Sequence, residues 1–305
     1  MVNIEKSWKL DAPKVIDLFC GCGGFSLGAA RAGFNVAAGI DLDAHALATH
    51  RRNFRQSRDL QLDLLDVSGD EILEKAGVDR GDLLGVIGGP PCQGFSSMGK
   101  NDFADPRNRL FRRFFELIDE SKPTFFVCEN VPGLLREGYR NIVADALGIV
   151  APYYKLIGPM KLKASDYGAP TIRTRAFFVG VLKMAEIDLS ESDFAPPKKL
   201  KPVTVGEALA GLPRKINENW QDEVDGWRKI RRNASNSAFQ KRLYGMVPRG
   251  MGDVESKKRL KSESRVSGCL GTVHLPKVIE RFSTVPEGKS DSVSRAPRLD
   301  RKGFC

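Results

Sequence analysis

Short apolar runs that alternate with helical patterns constrain the fold of this chain more than any other feature. The runs suit buried strands and lie at Val15–Phe19, Val36–Ile40, Leu60–Leu65, Leu83–Ile87, Thr124–Cys128, Tyr153–Leu162 and Ala176–Leu182. Helical patterns lie between the first five, at Phe25–Ala32, Asp43–Asn53, Gly69–Ala76 and Arg107–Glu120, and a further helix follows Pro132. Strands that alternate with helices predict an α/β fold with a doubly wound parallel sheet.

Glycines and polar residues follow these strands just where each strand ends. Gly21 and Gly23 follow the first strand, Asp41 the second, Cys92 the fourth and Glu129 the fifth. Ligands of doubly wound sheets bind at the carboxyl ends of the strands. We therefore expect these residues to meet on one rim of the sheet.

The segment Gly88–Ser96 combines two glycines, two prolines and a cysteine directly after a strand. Proline fixes φ and removes a backbone donor, and glycine permits tight turns, so a stiff loop is expected. A stiff strand-end loop is suited to hold the Cys92 thiolate as a nucleophile. Taken alone, Cys92 is as well explained as a buried packing residue.

The first strand end indicates a nucleoside-containing cofactor. Gly21 and Gly23, with Asp41 twenty residues after Gly21, resemble the dinucleotide fingerprint, but Ser26 stands where its third glycine belongs. A ligand with a ribose and no pyrophosphate needs only close backbone approach and an acidic acceptor, which favours S-adenosylmethionine over NAD. Cys20 and Cys22 lack a second Cys/His pair for zinc and are interpreted as packing residues.

Charge divides the chain into two predicted domains. Residues 1–190 carry 24 basic and 24 acidic residues, so the whole net charge of +10 comes from residues 191–305. This predicts a catalytic domain over 1–190, followed by a linker and a polyanion-binding region over 191–305. A solvated lysine-rich surface is the alternative explanation of the charge.

Cellular location is inferred from segments that the sequence lacks. No apolar run of 18 residues and no signal pattern occurs, so no membrane partner and a soluble, cytoplasmic protein are expected. Six cysteines in 305 residues do not form a disulfide framework. Cys128, inside an apolar strand, is expected in the core, and His45, His50 and His274 are expected to be structural.

Four motifs occur in the order found in the cytosine-C5 DNA methyltransferase family, which this chain resembles over residues 15–182. They are Asp17–Ser26, the Pro-Cys loop Gly88–Ser96, Glu129-Asn130-Val131, and Asp166–Pro170 followed by Arg173-Thr174-Arg175. The resemblance implies a Rossmann-like methyltransferase sheet that uses S-adenosylmethionine, followed by a partial, basic target-recognition region.

The resemblance also implies site residues. Phe19 would stack on adenine, the Gly21–Phe25 backbone would line the methionine part, Asp41 would bind the ribose and Leu42 the adenine face. Asp63, or Asp66 in a competing alignment, would bind the adenine amino group. The implied cofactor-binding set is Phe19, Gly21, Gly23, Gly24, Phe25, Asp41, Leu42, Asp63 and Pro90, and the implied catalytic set is Cys92, Glu129, Arg173 and Arg175.

The implied chemistry explains these residue types. A thiolate adding at cytosine C6 increases the electron density at C5, which then accepts a methyl group. Glu129 would protonate N3, Arg175 would stabilise charge on O2, and Arg173 would support that site. The target cytosine must be flipped out of the duplex. Singly, Glu129 is explained as a helix cap and the arginines as solvated charges or phosphate contacts.

Two departures from the family pattern matter. Thr171 stands where the family usually has glutamine, two residues before Arg173. Counterparts of the family's last two motifs are not found after Val266–Phe304, which resembles the start of the target-recognition region. Some family members consist of two polypeptides, so we expect a smaller partner chain; a truncated gene product is the alternative.

The expected activity is methylation of cytosine C5 in a specific double-stranded DNA site, as the modification component of a restriction-modification system. Two alternatives remain open. One is methylation of RNA, as in the tRNA-methylating branch of the family. The other is a catalytically idle DNA-binding relative.

Overall fold

A seven-stranded sheet forms the centre of the larger part of the chain. The computed structural model describes residues 12–91, 108–197, 200–213, 216–221, 226–232, 237–245, 248 and 250–286. The strands lie in the order β3-β2-β1-β4-β5-β7-β6. Their bounds are β1 Lys14–Leu18, β2 Asn35–Asp41, β3 Arg58–Gln61, β4 Leu83–Gly88, β5 Phe125–Asn130, β6 Tyr154–Lys163 and β7 Thr174–Leu182.

Helices follow the strands as predicted. They are α1 Gly24–Arg31, α2 Ala44–Asn53, α3 Gly69–Ala76, α4 Asn108–Ser121 and α5 Arg140–Val150. Asp43 caps α2 through hydrogen bonds accepted from the backbone of His45 at 2.8 Å and Ala46 at 3.3 Å. The fold class, a doubly wound Rossmann-like α/β sheet, is confirmed.

The parallel prediction is wrong for one strand. β1 pairs parallel with β2 and β4, and β4 with β5, but β7 pairs antiparallel with β5. Residues 164–173 connect β6 to β7 without an α-helix, whereas a return in the parallel sense needs a long crossover. The chain therefore reverses direction at this end of the sheet.

Several predicted bounds also differ. The third strand is shorter than predicted because residues after Gln61 form a turn, and Pro132 begins a 3-10 helix, Pro132–Leu135, with α5 starting only at Arg140. Within the weakly periodic basic region the structure contains α6 Val205–Ala208, α7 Ala238–Gly245, α8 Val254–Glu263 and α9 Pro276–Thr284, as well as β8 Arg228–Lys229 paired antiparallel with β9 Arg265–Val266.

Three apolar clusters lie among the described residues, and the two larger ones pack α-helices against the sheet. The larger joins α3, α4 and α5 to strands β1 to β7, with Phe111, Phe114, Phe115 and Phe126 fully buried. Burial of one such ring stabilises the fold by roughly 2–3 kcal/mol. The smaller cluster packs Ala29 and Ala30 of α1 against Val15 and Val36. Cys128 is fully buried in the larger cluster, which confirms its predicted core position.

The chain divides into two compact units. The first comprises Met1–Leu162, Thr174–Ala195 and Val247–Met251; the second comprises Lys163–Arg173, Pro196–Met246 and Gly252–Cys305. The functional boundary predicted between residues 190 and 191 stays a prediction. Among the residues described above, no helix is long and apolar enough to cross a membrane.

Candidate active site

Glycines shape the loop after β1. Gly21 and Gly23 adopt φ of 54° and 93°, which a residue without Cβ tolerates, and Phe19 shares this left-handed region with φ 62°. A Cβ on Gly23 would lie 2.2 Å from the Phe54 ring, whereas one on Gly21 or Gly24 would meet no atom within 4 Å. The loop is therefore packed tightly on one side and leaves open space for a ligand on the other.

Asp41, the last residue of β2, holds this loop in place. Its Oδ2 accepts a hydrogen bond from the Gly21 amide at 2.8 Å, and its Oδ1 accepts one from the Asp43 amide at 2.9 Å. The next residue, Leu42, is 61% exposed, while Phe19 packs against the larger core cluster and Phe25 against the smaller one. A carboxylate and an exposed apolar side chain thus share this strand end.

Asp63 lies in the turn after β3. Its Oδ1 accepts from the Leu65 amide at 2.9 Å, and its carbonyl oxygen accepts from the Asp66 amide at 3.1 Å. Asp63 is half-buried and Asp66 is exposed. The predicted contact of either residue with adenine stays a prediction.

Arg113 of α4 fixes the same turn from the other side. Its Nε donates to Leu64 O at 3.1 Å and its Nη2 to Val67 O at 2.7 Å. Its Nη1 donates to Glu120 Oε1 at 2.7 Å, and Glu120 Oε2 accepts from the Gly69 amide at 2.6 Å. Burial acts to lower the pKa of Arg113, but the carboxylates of Glu120 and Glu116 outweigh it and raise the pKa. Sequence analysis missed Arg113, although a charged residue directly before Phe114 and Phe115 was a visible signal.

Glu129 and Arg175 form an ion pair at the carboxyl end of β5. Arg175 Nε lies 2.6 Å from Glu129 Oε1, and the side chains are 17% and 29% exposed for Arg175 and Glu129 respectively. The antiparallel register places Glu129 opposite Phe177 and Asn130 opposite Ala176. The beginning of β7 therefore meets the end of β5, which a parallel β7 would not allow. The structure brings these two predicted catalytic residues together.

The first residues of the Pro-Cys loop lie against this pair. A Cβ on Gly89 would lie 3.2 Å from Glu129 Oε2. Asn130, 1% exposed, donates from Nδ2 to Pro90 O at 3.3 Å and accepts the Val131 amide at Oδ1 at 2.8 Å. Sequence analysis assigned no role to Asn130. Cys92 lies outside the described residues, so its predicted role is not tested.

Arg173 precedes Arg175 by two residues, at the end of the connection from β6 to β7. Its side chain is exposed, its amide donates to Thr171 Oγ1 at 3.3 Å, and its carbonyl oxygen accepts from the Ala164 amide at 2.9 Å. Arg173 and Thr171 belong to the second compact unit. The predicted support of the site by Arg173 stays a prediction.

A buried chain of polar side chains lies behind the glycine loop. Ser26 Oγ lies 2.5 Å from Asp17 Oδ2 and 3.1 Å from His50 Nε2, and His50 Nδ1 lies 2.5 Å from Asp59 Oδ1. Asp17, Ser26 and His50 are fully buried. Burial raises the pKa of Asp17 to about 7, against the opposing effect of the hydrogen bonds from Ser26, and burial lowers the pKa of His50. The signal missed here is that His50 follows Leu47 by three residues, on the buried face of α2.

Cys20 is a packing residue, as predicted, whereas Cys22 is exposed, so the packing role predicted for it is wrong. It is 6% exposed, and burial, together with Asp17, Asp41 and Asp59, raises the pKa of its thiol well above its usual range. A thiol that stays protonated is neither a nucleophile nor a metal ligand. Among the described residues no cluster of three metal-binding side chains occurs.

The second unit contains basic side chains beside tryptophans. The Arg228 guanidinium lies 4.0 Å from the centre of the Trp220 ring, and that of Arg259 lies 4.6 Å from the centre of the Trp227 ring. An open cavity of about 850 Å³ is lined in part by Leu209, Pro213, Trp220, Arg228, Lys229 and Arg231. Such cationic and aromatic surfaces suit phosphates and bases.

Comparison with known proteins gives consistent matches. The family model described as C-5 cytosine-specific DNA methylase matches residues 13–298. The type II methyltransferase M.XorII of Xanthomonas oryzae pv. oryzae is 32% identical over 300 residues, which are 96% of this chain and 67% of M.XorII. M1.HphI of Haemophilus parahaemolyticus is 39% identical over 205 residues, 65% of this chain and 52% of that protein. This chain thus covers about half to two thirds of these relatives.

Solved structures agree with these matches. A crystal structure described as a DNA modification methyltransferase encoded within an E. coli prophage is 45% identical, with a TM-score of 0.85 over 96% of this chain and 81% of that chain. The S. pombe Dnmt2 methyltransferase, at 16% identity and a TM-score of 0.51, shares the fold alone over 68% of this chain and 62% of its own.

Proposed function

The chain belongs to the C-5 cytosine-specific DNA methylase family, and from this premise we propose that it methylates cytosine C5 in a specific double-stranded DNA site. The methyl donor is S-adenosylmethionine, and the reaction passes through a covalent bond between Cys92 Sγ and cytosine C6. The named relatives are type II methyltransferases, which supports a role in a restriction-modification system.

The residues of the first strand ends fit this cofactor. Asp41 offers a carboxylate at a strand end, and Leu42 is exposed beside it. The open space beside Gly21 and Gly24 admits a ligand close to the backbone. We assign the ribose to Asp41 and the adenine to Phe19, Leu42 and Asp63. The methionine part is assigned to the loop Gly21–Phe25, and Pro90 is the remaining cofactor-binding residue. When bound, this cofactor supplies the methyl group that C5 receives.

The ion pair between Arg175 and Glu129 is the observation that carries the proposal. Glu129 Oε2 faces Gly89, three residues before Cys92. Once Glu129 has taken up a proton, a cytosine held there would meet a proton donor for N3 and, in Arg175, a cation for O2 at the start of the loop that carries the thiolate. The pair is also 2.6 Å apart and largely shielded from water, which strengthens its electrostatic effect.

Each group then has one task. The Cys92 thiolate adds to C6, and Glu129 protonates N3 as that bond forms, while Arg175 stabilises the charge on O2. After C5 has received the methyl group, a base removes the C5 proton and N3 returns its proton. The C6–S bond then breaks and releases the thiolate. Asn130 holds Pro90, and through it the start of the loop.

The basic region, residues 191–305, is assigned to the DNA duplex. Residues 191–305 carry the whole net charge of +10, and Arg228, Lys229 and Arg231 line one cavity. The second polypeptide expected from the sequence has no support in the comparisons and stays a prediction. Activity of the chain alone on a specific site would contradict it.

The test is covalent trapping on DNA that contains 5-fluorocytosine, because fluorine at C5 cannot leave as a proton does. With S-adenosylmethionine, the unaltered protein should form a complex stable to denaturant, and Cys92→Ser should form none. Methyl transfer from labelled cofactor to genomic DNA and to tRNA is measured in parallel. Transfer to tRNA alone would overturn the proposed substrate, and transfer to neither, without trapping, would overturn the activity.

A further inference from the structure

The buried polar chain behind the glycine loop has no task in the reaction just described. We propose that Asp17, Ser26, His50 and Asp59, called the buried relay below, position the glycine loop for S-adenosylmethionine, and that they do so fully only while Asp17 and His50 share one proton. The inference rests on the proposed function, since it takes S-adenosylmethionine as the ligand of that loop.

The relay connects four elements that surround the loop. Asp17 belongs to β1, Ser26 to α1, His50 to α2 and Asp59 to β3. The glycine loop lies between Asp17 and Ser26 in the chain, so a hydrogen bond between these two side chains closes the base of the loop. A change in this bond therefore acts on both ends of the loop at once.

The His50 ring also sets the shape of the loop directly. A Cβ on Gly23 would lie 2.9 Å from His50 Cδ2, and one on Gly39 would lie 2.6 Å from His50 Cε1. The ring stacks on Phe54 with centres 4.4 Å apart. Gly23 therefore rests on an imidazole whose orientation the hydrogen bonds to Ser26 and Asp59 fix.

The relay contains three hydrogen bonds, and each needs one proton. In one arrangement Asp17 donates to Ser26, Ser26 donates to His50 Nε2, and His50 Nδ1 donates to Asp59. In the other, Ser26 donates to Asp17, and a doubly protonated His50 donates to Ser26 and to Asp59. Both contain the same number of protons. When the shared proton is lost, two protons remain for three hydrogen bonds, and one bond must break.

The surroundings favour the first arrangement, with neutral Asp17 and neutral His50. Burial disfavours both charged forms: it raises the pKa of Asp17 against the hydrogen bonds from the Ser26 hydroxyl and amide, and it lowers the pKa of His50 against the opposing effect of Asp59. Asp17 Oδ1 is buried and has no hydrogen-bond partner among the described residues, which a charged carboxylate tolerates poorly.

The other ionisable groups around the relay do not reverse this preference. Asp41 on β2 raises the pKa of Asp17, and β4 contributes apolar Ile87 opposite Asp17. Cys20 is a protonated thiol. Arg51 lies 3.5 Å from Asp59, and its side chain is 68% exposed.

The relay should therefore make cofactor affinity depend on pH. Loss of the shared proton from Asp17 above neutral pH breaks the link between Ser26 and His50, and the glycine loop loses one of its supports. One such hydrogen bond corresponds to about a fivefold change in affinity. Asp17→Asn isolates this effect, because its carboxamide donates to Ser26 as the neutral acid does and does not titrate.

The experiment measures S-adenosylmethionine binding by calorimetry between pH 6 and 9. At pH 6 the unaltered protein and Asp17→Asn should bind with equal affinity. Between pH 6 and pH 9 the affinity of the unaltered protein should fall about fivefold more than that of Asp17→Asn. The α-amino group of the ligand titrates at about 8, and Asp17→Asn serves as the reference for that contribution. Ser26→Ala should bind weakly at every pH. His45→Phe, on the exposed face of the same helix, is the matched control and should follow the unaltered protein.

The imidazole nitrogens of His50 give a readout that needs no ligand. Their ¹⁵N shifts should show the neutral Nδ1–H tautomer at pH 6 and a change near pH 7 that is absent from Asp17→Asn. Identical pH profiles of the unaltered protein and Asp17→Asn would overturn the relay and leave the proposed function intact. No binding of S-adenosylmethionine by the unaltered protein would overturn the proposed function and the inference with it.

Discussion

Arg175 Nε lies 2.6 Å from Glu129 Oε1 because an antiparallel strand begins where a parallel strand ends. The contact joins the first residues of β7 to the last residues of β5, and it lies next to Gly89. The pair is thus built into the sheet and does not depend on a flexible loop.

Glu129→Gln should lower kcat by about 10²- to 10⁴-fold, since an amide cannot give a proton to cytosine N3. Steady-state methylation of DNA measures this loss, and S-adenosylmethionine affinity should change little. Glu137→Gln is the matched control, because Glu137 pairs with Arg140 on the surface, with side chains 79% and 74% exposed. A kcat for Glu129→Gln within twofold of the unaltered protein would remove Glu129 from the reaction.

Asn130→Ala should slow trapping on 5-fluorocytosine DNA. The substitution leaves the Pro90 carbonyl without its donor in a buried place, at a cost of about 1–3 kcal/mol, and loosens the start of the Pro-Cys loop. Asn53→Ala is the control, since Asn53 Nδ2 also donates to a carbonyl, that of Thr49 at 2.9 Å, but near the surface of α2. Equal trapping rates in the two variants would show that Asn130 does not position the loop.

Arg113→Met should weaken S-adenosylmethionine binding about tenfold and lower the free energy of unfolding by about 2–3 kcal/mol, because two carbonyls and Glu120 lose a charged donor. Calorimetric binding and urea unfolding measure the two effects. Arg112→Met is the control, because Arg112 is the neighbouring surface arginine and pairs with Glu116 at 2.9 Å. A surface ion pair contributes about 0.5 kcal/mol, so the binding free energy and the free energy of unfolding should each change by less than that. If Arg113→Met bound S-adenosylmethionine as tightly as the unaltered protein, the turn that holds Asp63 would have no part in cofactor binding.

Gly23→Ala should destabilise the protein by about 2–4 kcal/mol, from left-handed strain together with overpacking against Phe54. Gly28→Ala, within α1 and with no atom within 4 Å of the added Cβ, should raise stability by about 0.5–1 kcal/mol. Thermal melting of both variants provides the comparison. A Gly23→Ala protein as stable as the unaltered one would show that the start of α1 does not need a left-handed glycine at position 23.

Stability should also depend on pH through Asp17. Its pKa is 3.8 in the unfolded chain and about 7 when folded, so the folded state binds the proton more tightly. This contribution to stability is fully present below about pH 4 and decreases as the pH rises towards 7. Asp17→Asn lacks this loss. Urea unfolding at pH 5 and pH 8 measures the free energy of unfolding of Asp17→Asn relative to that of the unaltered protein. This difference should favour Asp17→Asn more at pH 8 than at pH 5, and an equal difference at both pH values would contradict the raised pKa.

The sequence predicted most of the first unit because its local signals agree with one another. The alternation of apolar runs with helices and the glycines after β1 indicate the same sheet, and the structure contains them. The direction of β7 could not be predicted, since a strand's apolar pattern is the same in both directions; what decides it is the short connection from β6, residues 164–173.

Side-chain contacts were predicted only where the resemblance to the methyltransferase family implied them. Glu129 and Arg175 were assigned to one site, but the roles of Arg113, Asn130 and Ser26 depend on carbonyls and rings that come close only after folding. His50 shows the same limit, because its partners Ser26 and Asp59 lie on other elements. In the basic region, short helices with few apolar residues gave no periodic signal; α8, for example, contains no buried residue.

The carboxylate of Asp41 has a consequence for the thermodynamics of ligand capture. By accepting the amides of Gly21 and Asp43, it aligns two strand-end loops before any nucleoside arrives. The conformational entropy of those loops is lost during folding and not during association. Binding at this rim should then proceed with little backbone rearrangement, close to rigid-body docking, and with a rapid on-rate.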